Sequence, residues 1–593
     1  MGSAIQKEGI LNLLMRTWLH LSRRRKLQFG LLSALMLVSA FAEVVSLGAV
    51  LPFLGILISP DRIFNHPLAA GMVQALGINS ADQLVLPLTI MFIVAALLAG
   101  AIRMLLLWIN TRLAFSSGTD LSMDVYQRTL YQPYSVHIAR NSSEIVSGVT
   151  SKVSQTIGVI SSFLTLVSSS VSLVAVVVTL VIIDPMVALI AFTGFGFSYG
   201  FIYSFVNSRL ERNSKRIALE ETQVIKALQE GLGGIRDVLL DGTQSVYCNI
   251  FRQADFSLKR AVAGNLFIAG SPRFAMEALG ITIIAVLAYG LSGQAGGIAA
   301  ALPTLGALAL GTQRLLPTLQ HSYNAWSAIV GSQYSLADTI ELLDQSVSTE
   351  ALRTDITPLR FEETIRFDNV RFRYSSDGPW VLDGLNLTIP KGSRVGFIGS
   401  TGSGKSTALD LLMGLLQPIE GELLVDGVSI GEKHARAWQQ TIAHVSQTVF
   451  LADSTIAENI AFGTPLEAID WERLKQVAQN AQIAEFIEKQ VEGYNTFVGE
   501  RGIRLSGGQR QRIGIARALY KQASVLVFDE ATSALDNATE QSVMRSIEGL
   551  SHNLTILIIA HRLTTVKHCD IILTLECGRV GTQVTYEQLR EES

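Results

Sequence analysis

Cysteine is scarce in this chain: Cys248, Cys569 and Cys577 are all that 593 residues contain. Three thiols so far apart exclude a disulfide framework and a thiolate metal cluster. No H-E-x-x-H, C-x-x-C or calcium-loop spacing occurs, so no protein-ligated metal site is expected. Charge is sparse as well, at 16% Asp, Glu, Lys and Arg, with a formal net charge of −3. That balance offers no basic surface for nucleic acid. A cleavable leader is not expected, because the basic residues up to Lys26 precede an apolar run far longer than a leader core. A myristoylation signal is missing too, since Gln6 stands where a Ser or Thr is required.

What fills the chain instead is apolar. Hydrophobic residues make up 49% of it, and the mean hydropathy is +0.35. The average hides two unlike parts, and the length is too great for one ordinary domain. Residues 28 to about 330 hold long apolar stretches, while those beyond about 360 read as a soluble α/β protein. The expected division is an interfacial N-terminal helix over 1–27, a membrane domain over 28–331, a linker over 332–360 and a nucleotide-binding domain over 361–593. Within the first part Leu11, Leu14, Trp18 and Leu21 share a helical face suited to a membrane surface.

A spanning helix needs about 20 mostly apolar residues. The stretches 28–58, 85–115, 154–183, 186–207, 264–291 and 296–330 qualify, the third and fourth parted only by the turn signal Asp184-Pro185. Basic residues decide the orientation. Arg23, Arg24, Arg25 and Lys26 precede the first span, and 207–262 is rich in Lys and Arg, whereas 59–84 carries only Arg62. Both termini and the loops 116–153 and 207–262 therefore face the cytoplasm. Those loops are long enough for about 40 Å of helical reach below the membrane. Their turns are expected near Pro133–His137 and Gly242–Val246; plain solvated loops are the alternative. Segment 59–84, with Ile63, Phe64, Leu68 and Met72, reads as an extracytoplasmic surface helix or as packing against span ends. Ionisable residues inside spans usually face a partner or a wet cavity. Glu43, Arg103, Arg112, Arg273, Glu277 and Arg314 are such residues. The excess of arginine suits an anionic cargo such as a phosphate or diphosphate, with Arg103, Arg273, Arg314 and Glu43 as the candidate cavity set. Structural pairing or snorkelling is the competing reading.

The soluble part is organised around Gly399-Ser400-Thr401-Gly402-Ser403-Gly404-Lys405-Ser406-Thr407, which fits G-x-x-x-x-G-K-[ST]. Such a loop wraps phosphates between a strand and a helix. Val395–Ile398 suits the strand and Ala408–Leu415 the helix. Lys405 is placed to neutralise β- and γ-phosphate oxygens. A second apolar strand, Val525–Phe528, ends in Asp529 and Glu530. Asp529 there can hold Mg²⁺ through water opposite Ser406, and Glu530 can orient or deprotonate an attacking water. Between them, Leu505-Ser506-Gly507-Gly508-Gln509 reads as a glycine-rich helix start, a ready anion site. One nucleotide does not need two such sites in one subunit, so the second makes sense capping the γ-phosphate in a neighbouring copy. A bare helix cap is the alternative.

Phosphate loop, L-S-G-G-Q, strand-Asp-Glu and His561, in that order, resemble the ATPase of ABC transporters. With six preceding spans, the whole chain resembles the exporter type that fuses membrane and nucleotide parts. The fold class implied is a six-helix membrane domain plus a cytosolic α/β P-loop domain, with ATP and Mg²⁺ as cofactors. The resemblance further implies Tyr374 on adenine, Gln447 at the Mg²⁺, His561 at the γ-phosphate and Ser533-Ala534-Leu535-Asp536 linking two ATP sites. It implies a homodimer of a multi-pass protein in the cytoplasmic membrane of a bacterium, with the ATPase in the cytoplasm. The loop 496–502 departs from the family at Phe497, where an acidic residue is common. Gln132–His137, Asn141–Glu144, Ser271-Pro272-Arg273-Phe274 and Arg314-Leu315-Leu316-Pro317 resemble bacterial flippases for lipid-linked oligosaccharides. This implies ATP-driven flipping of a polyprenyl-diphosphate-linked glycan. Export of a peptide or hydrophobic small molecule is the runner-up, and an ATP-gated channel or regulator comes third.

Overall fold

The computed structural model describes residues 8–50, 53, 80–183, 185–292, 297–353, 355–530, 537–548, 554–560 and 563–592. The chain divides into two compact units. One comprises Met1–Gln132 and Arg140–Ser346; the other comprises Pro133–Ala139 and Val347–Ser593.

The first unit is helical throughout. Helix α1 (Ile10–His20) is amphipathic; of the face read from the sequence, Leu11 and Trp18 are exposed, and Leu21, just past its end, is buried. Leu13 and Thr17 are buried, whereas Leu11, Met15 and Leu19 are exposed. The buried side packs with Val159, Ile329, Leu336 and Ile340. Tertiary packing thus takes one stripe of the helix and leaves another for lipid. The long helices follow: α2 (Arg23–Gly48) and α3 (Val85–Leu130); after the short α4 (Tyr134–Ala139), which belongs to the second unit, come the short α5 (Ser142–Ser147), α6 (Val153–Ile183) and α7 (Pro185–Gly233). After α8 (Ile235–Leu240) come α9 (Gln244–Ser292), α10 (Gly297–Gly331) and α11 (Gln333–Leu343). Among the described residues, Arg23–Ser46, Val85–Leu130, Ser142–Ile182 and Gln244–Val286 are long and apolar enough to cross a membrane. The helices α7 and α10 lie at the other two stretches read as spans. Asp184, of the expected turn, and 54–79, which hold most of 59–84, lie outside the described residues.

The helices outrun the membrane. The 46 residues of α3 correspond to about 69 Å at 1.5 Å each, more than twice a hydrocarbon core of about 30 Å. Chain reversals fall at Tyr131–Pro133 and at Asp241–Thr243, the latter with Gly242 at φ +65°. Neutral bonds tie the long helices together, Tyr199 Oη to Gln320 Oε1 at 3.0 Å and Asn213 Nδ2 to Asn265 Oδ1 at 2.9 Å. An ion pair, Lys152 Nζ to Asp338 at 2.5 Å, joins the turn before α6 to α11; such a pair orients elements more than it stabilises them, because desolvation offsets much of the attraction.

The second unit holds two sheets. One is antiparallel, in the order β2 (Leu382–Pro390), β1 (Thr364–Phe372), β4 (Glu420–Val425) and β5 (Val428–Ser429). The other runs β10 (Arg579–Val584), β9 (Ile571–Glu576), β3 (Arg394–Ile398), β8 (Thr555–Ile559), β7 (Val525–Asp529) and β6 (Ile442–Val445). From β9 to β6 the pairing is parallel, with β10 antiparallel at one edge. Buried strands read as unbroken apolar runs, and Thr555–Ile559 is buried at every residue. Sheet order puts the ends of β3 and β7 on either side of β8, where open α/β sheets bind ligands. Helix α12 (Lys405–Leu412) begins at the phosphate loop and ends before Gly414 (φ +65°), earlier than its helix-forming residues alone suggest. Trp438, fully buried on α13 (Glu432–Gln439), donates Nε1–H to the Leu412 carbonyl at 2.6 Å and pins that end.

Helices α3 and α6 pack tightly at Gly118, where a Cβ would lie 2.1 Å from Ile157 Cγ1. Gly118→Val is expected to lower stability by about 1–3 kcal/mol through overpacking. Thermal unfolding in detergent checks this, and Ile157→Ala added to Gly118→Val should restore part of the lost Tm.

Candidate nucleotide site

The phosphate loop is shaped by what its glycines avoid. Gly399 sits at φ +143°, and a Cβ there would come within 2.4 Å of the Leu575 carbonyl oxygen. Gly404 sits at φ +102°, with the Val381 carbonyl oxygen 3.0 Å from such a Cβ. Only glycine fits at both. The turn after β9 braces the loop from outside, the Gly578 amide donating to the Ser403 carbonyl at 3.1 Å.

Lys405, first residue of α12, folds back over the loop. Its Nζ donates to the carbonyls of Gly399 at 2.9 Å and Ser400 at 2.8 Å, and reaches Ser403 Oγ at 3.4 Å. Burial lowers its pKa, while the charges of Glu530 and Asp529 oppose that shift. Ser406 is exposed. Thr407 is buried and joined to Tyr374, whose Oη lies 3.0 Å from Thr407 Oγ1. Tyr374 is anchored by its hydroxyl at the loop, and its ring stays largely exposed.

Asp529 closes β7 in register with Ile559 of β8, and the Glu530 amide donates to the Ile559 carbonyl at 3.2 Å. Glu530 then turns into the left-handed region, φ +51°. Gln447, after β6, donates Nε2–H to Glu530 Oε2 at 2.7 Å. Lys405, Asp529, Glu530 and Gln447 are thus gathered at one edge of the parallel sheet. The loop geometry fits a nucleoside triphosphate: a glycine-rich cradle, a lysine with three donors, and a hydroxyl and carboxylate suited to Mg²⁺.

Ser506 caps helix α17 (Gly507–Tyr520). Its Oγ accepts from Gln509 N at 3.3 Å, and Gln509 Oε1 accepts from Ser506 N at 2.8 Å. The reciprocal cap leaves the amides of Gly507 and Gly508 in the first turn, where helices lack internal partners. Among the described residues no hydrogen bond or ion pair links 506–509 to 399–407. His561 and Ser533–Asp536 lie outside the described residues. Phe497 is exposed and pairs with Thr455 through an isolated bridge.

The candidate cargo residues are dispersed. Glu43 on α2 is buried. Arg103 on α3 is exposed, its Nε 3.4 Å from the Ala99 carbonyl. Arg273 pairs one turn along α9 with Glu277 at 2.8 Å. Arg314 on α10 has no carboxylate partner among the described residues. None of the four bonds to another.

Sequence reading missed Asp410, one turn into α12. Burial first and the charge of Asp529 second push its carboxyl up to about 6. No motif marks it, since the pattern ends at Thr407 and its environment is set by β7.

Fold and site together define an ATP-driven membrane transporter. The ABC transporter model matches residues 382–533, and the ABC transporter transmembrane region model matches 32–297. The chain is 31% identical over 477 residues to the ATP-dependent lipid A-core flippase of Cupriavidus pinatubonensis, covering 79% of each chain. It is 43% identical over 225 residues to the alpha-hemolysin translocation ATP-binding protein HlyB of Escherichia coli O157:H7, covering 38% of this chain and 32% of that one. Its fold is shared with a bacterial Atm1-family ABC exporter solved with ATP bound, at TM-score 0.77 and 24% identity, covering 96% of each chain. The chain belongs to the ABC transporters, with membrane and ATP-binding parts fused in one polypeptide. It hydrolyses ATP with Mg²⁺ to drive transport, and is a multi-pass membrane protein with its nucleotide-binding domain in the cytosol.

An acid whose folded pKa lies above its unfolded value favours folding while protonated, so stability declines as pH rises between the two. For Asp410 that window runs from about 4 to about 6. Asp410→Asn should therefore stabilise the nucleotide-free protein by about 1 kcal/mol above the window, allowing for partial exposure. Unfolding curves of both forms should converge near the lower limit.

Proposed function

We propose that two copies of the chain close over two ATP molecules, and that closure flips an anionic lipid-linked saccharide. In each site Gly399–Thr407 wrap the phosphates, Tyr374 stacks on adenine, and Ser406, Gln447 and Asp529 (the last through water) hold Mg²⁺. Ser506, Gly507, Gly508 and Gln509 of the second copy complete the site, and His561 meets the γ-phosphate. Bound Mg²⁺ supplies charge neutralisation at the phosphates. Lys405 exchanges its loop carbonyls for phosphate oxygens. Glu530 holds and deprotonates the attacking water, and Gln447, now bonded to it, positions its carboxylate. The observation that carries this reading is the 2.7 Å Gln447–Glu530 contact beside a loop whose lysine turns inward. The free amides at the α17 N-terminus support a site built from two chains.

For the cargo, support comes from relatives named lipid A-core flippases and from Arg103 and Arg314, neither paired with a carboxylate among the described residues. A polyprenyl diphosphate carrying a glycan is the cargo form favoured here. Peptide export is the second reading, on the likeness to the haemolysin translocator.

Glu530→Gln should still bind ATP, lose at least about 10²-fold in hydrolysis and accumulate as a closed dimer on size exclusion. Wild-type turnover by that variant removes Glu530 from the mechanism. In proteoliposomes, polyprenyl-diphosphate glycans should be translocated only with ATP, and Arg103→Ala with Arg314→Ala should abolish it. Stimulation by peptides alongside a flat response to every lipid-linked glycan would reverse the order of the two cargo readings.

A further inference from the structure

A groove of about 460 Å³ runs between α2 and α3 on the first unit. One end is polar, lined by Arg25, Gln28, Arg112 and Ser116; the other is apolar, with Leu31, Leu35, Leu105 and Trp108. Arg112 lies about 40 Å along α3 from Val85 at the helical rise, roughly 10 Å more than a hydrocarbon core of about 30 Å and so at head-group depth. With the N-terminus of α2 and the C-terminal half of α3 on the cytoplasmic side, the polar end sits at the inner head-group level. The apolar end then sits among acyl chains, and Trp108 lies at the depth where interfacial tryptophans concentrate.

The two arginines differ. Arg25 is held as a fixed post: Nε and Nη2 bond Asp120 at 2.8 and 3.3 Å, Nη1 meets Gln28 Oε1 at 3.0 Å, and Nη2 reaches the Ser116 carbonyl at 3.3 Å. Arg112 has no carboxylate partner among the described residues; its guanidinium carbon lies 5.3 Å from the Trp108 ring centre. Asp120 balances Arg25, so the charge of Arg112 is left over, with Arg23 and Arg24 exposed nearby at the start of α2. The apolar walls are open: Leu31 is 65% and Trp108 56% exposed.

We propose that this groove holds an anionic glycerophospholipid of the cytoplasmic leaflet. Its phosphate and head group pair with Arg112 and the remaining N–H of Arg25, and one acyl chain lies along Leu31, Leu35, Leu105 and Trp108. Charge selects the occupant. A zwitterionic lipid leaves Arg112 uncompensated, whereas a net negative one matches a rim of net positive charge, an interaction worth about 1 kcal/mol per basic side chain at the membrane surface. The lipid is a resident of the groove and not the cargo, so the inference stands apart from the cargo reading.

The test places the full-length protein, without ATP or cargo, in phosphatidylcholine vesicles containing brominated phosphatidylglycerol or, in parallel, brominated phosphatidylcholine. The Trp108 signal is the part of the quenching that Trp108→Phe removes. Phosphatidylglycerol should quench it at about fivefold lower mole fraction, the equivalent of one basic contact. Arg112→Gln should bring the two lipids to parity. Arg112→Lys and the surface variant Arg24→Gln should keep the preference. Unchanged Tm and basal ATPase in Arg112→Gln separate loss of lipid from loss of fold. Equal quenching of wild type by both lipids overturns the proposal, as does a preference that survives Arg112→Gln. Absence of quenching by either lipid overturns it too, and would mean that a second copy covers the groove.

Discussion

Everything in the second unit depends on letting backbone amides come close enough to a phosphate to bind it. That demands a loop with glycine wherever the backbone turns or is approached closely, held from behind so that it does not collapse. The Leu575 and Val381 carbonyls press on Gly399 and Gly404 from outside, and the Gly578 amide fixes Ser403. The brace comes from β2 and from the β9–β10 turn, far away in sequence. The cradle is therefore a product of the whole unit and not of its nine residues.

Sheet order follows from the same demand. With β8 between β3 and β7, the lysine at the head of α12 and the carboxylates at the end of β7 are brought to one edge. Their charges act on each other there, since Asp529 and Glu530 oppose the desolvation of Lys405. A carboxylate pair beside a buried lysine is a site prepared for an anion with its own cation, which ATP with Mg²⁺ supplies.

The motif-bearing residues were legible because local pattern fixes them. Glycine spacing, an apolar strand ending in two acids and a serine before two glycines each demand one backbone geometry. The long helices were legible from apolar length, and their reversals from Pro133 and Gly242. What escaped depends on neighbours that no local pattern names. Asp410 is perturbed first by burial and then by the charge of Asp529, more than a hundred residues later, and Gly578 reaches the loop only through the sheet. That Leu13 and Thr17 of α1 are buried by other helices is likewise something hydropathy alone does not foresee. The candidate cargo residues stayed dispersed in one chain: Arg273 is satisfied by Glu277 on its own helix.

Glu530 holds a backbone angle of +51° that a glycine or asparagine adopts at less cost, roughly 1 kcal/mol. The residue best for folding at this position is therefore not the one proposed to activate water. A lineage selected only for expression or heat resistance would drift away from glutamate here, gaining a sturdier and inert protein. On the proposed mechanism, the acid at this position trades the preference of the fold for turnover.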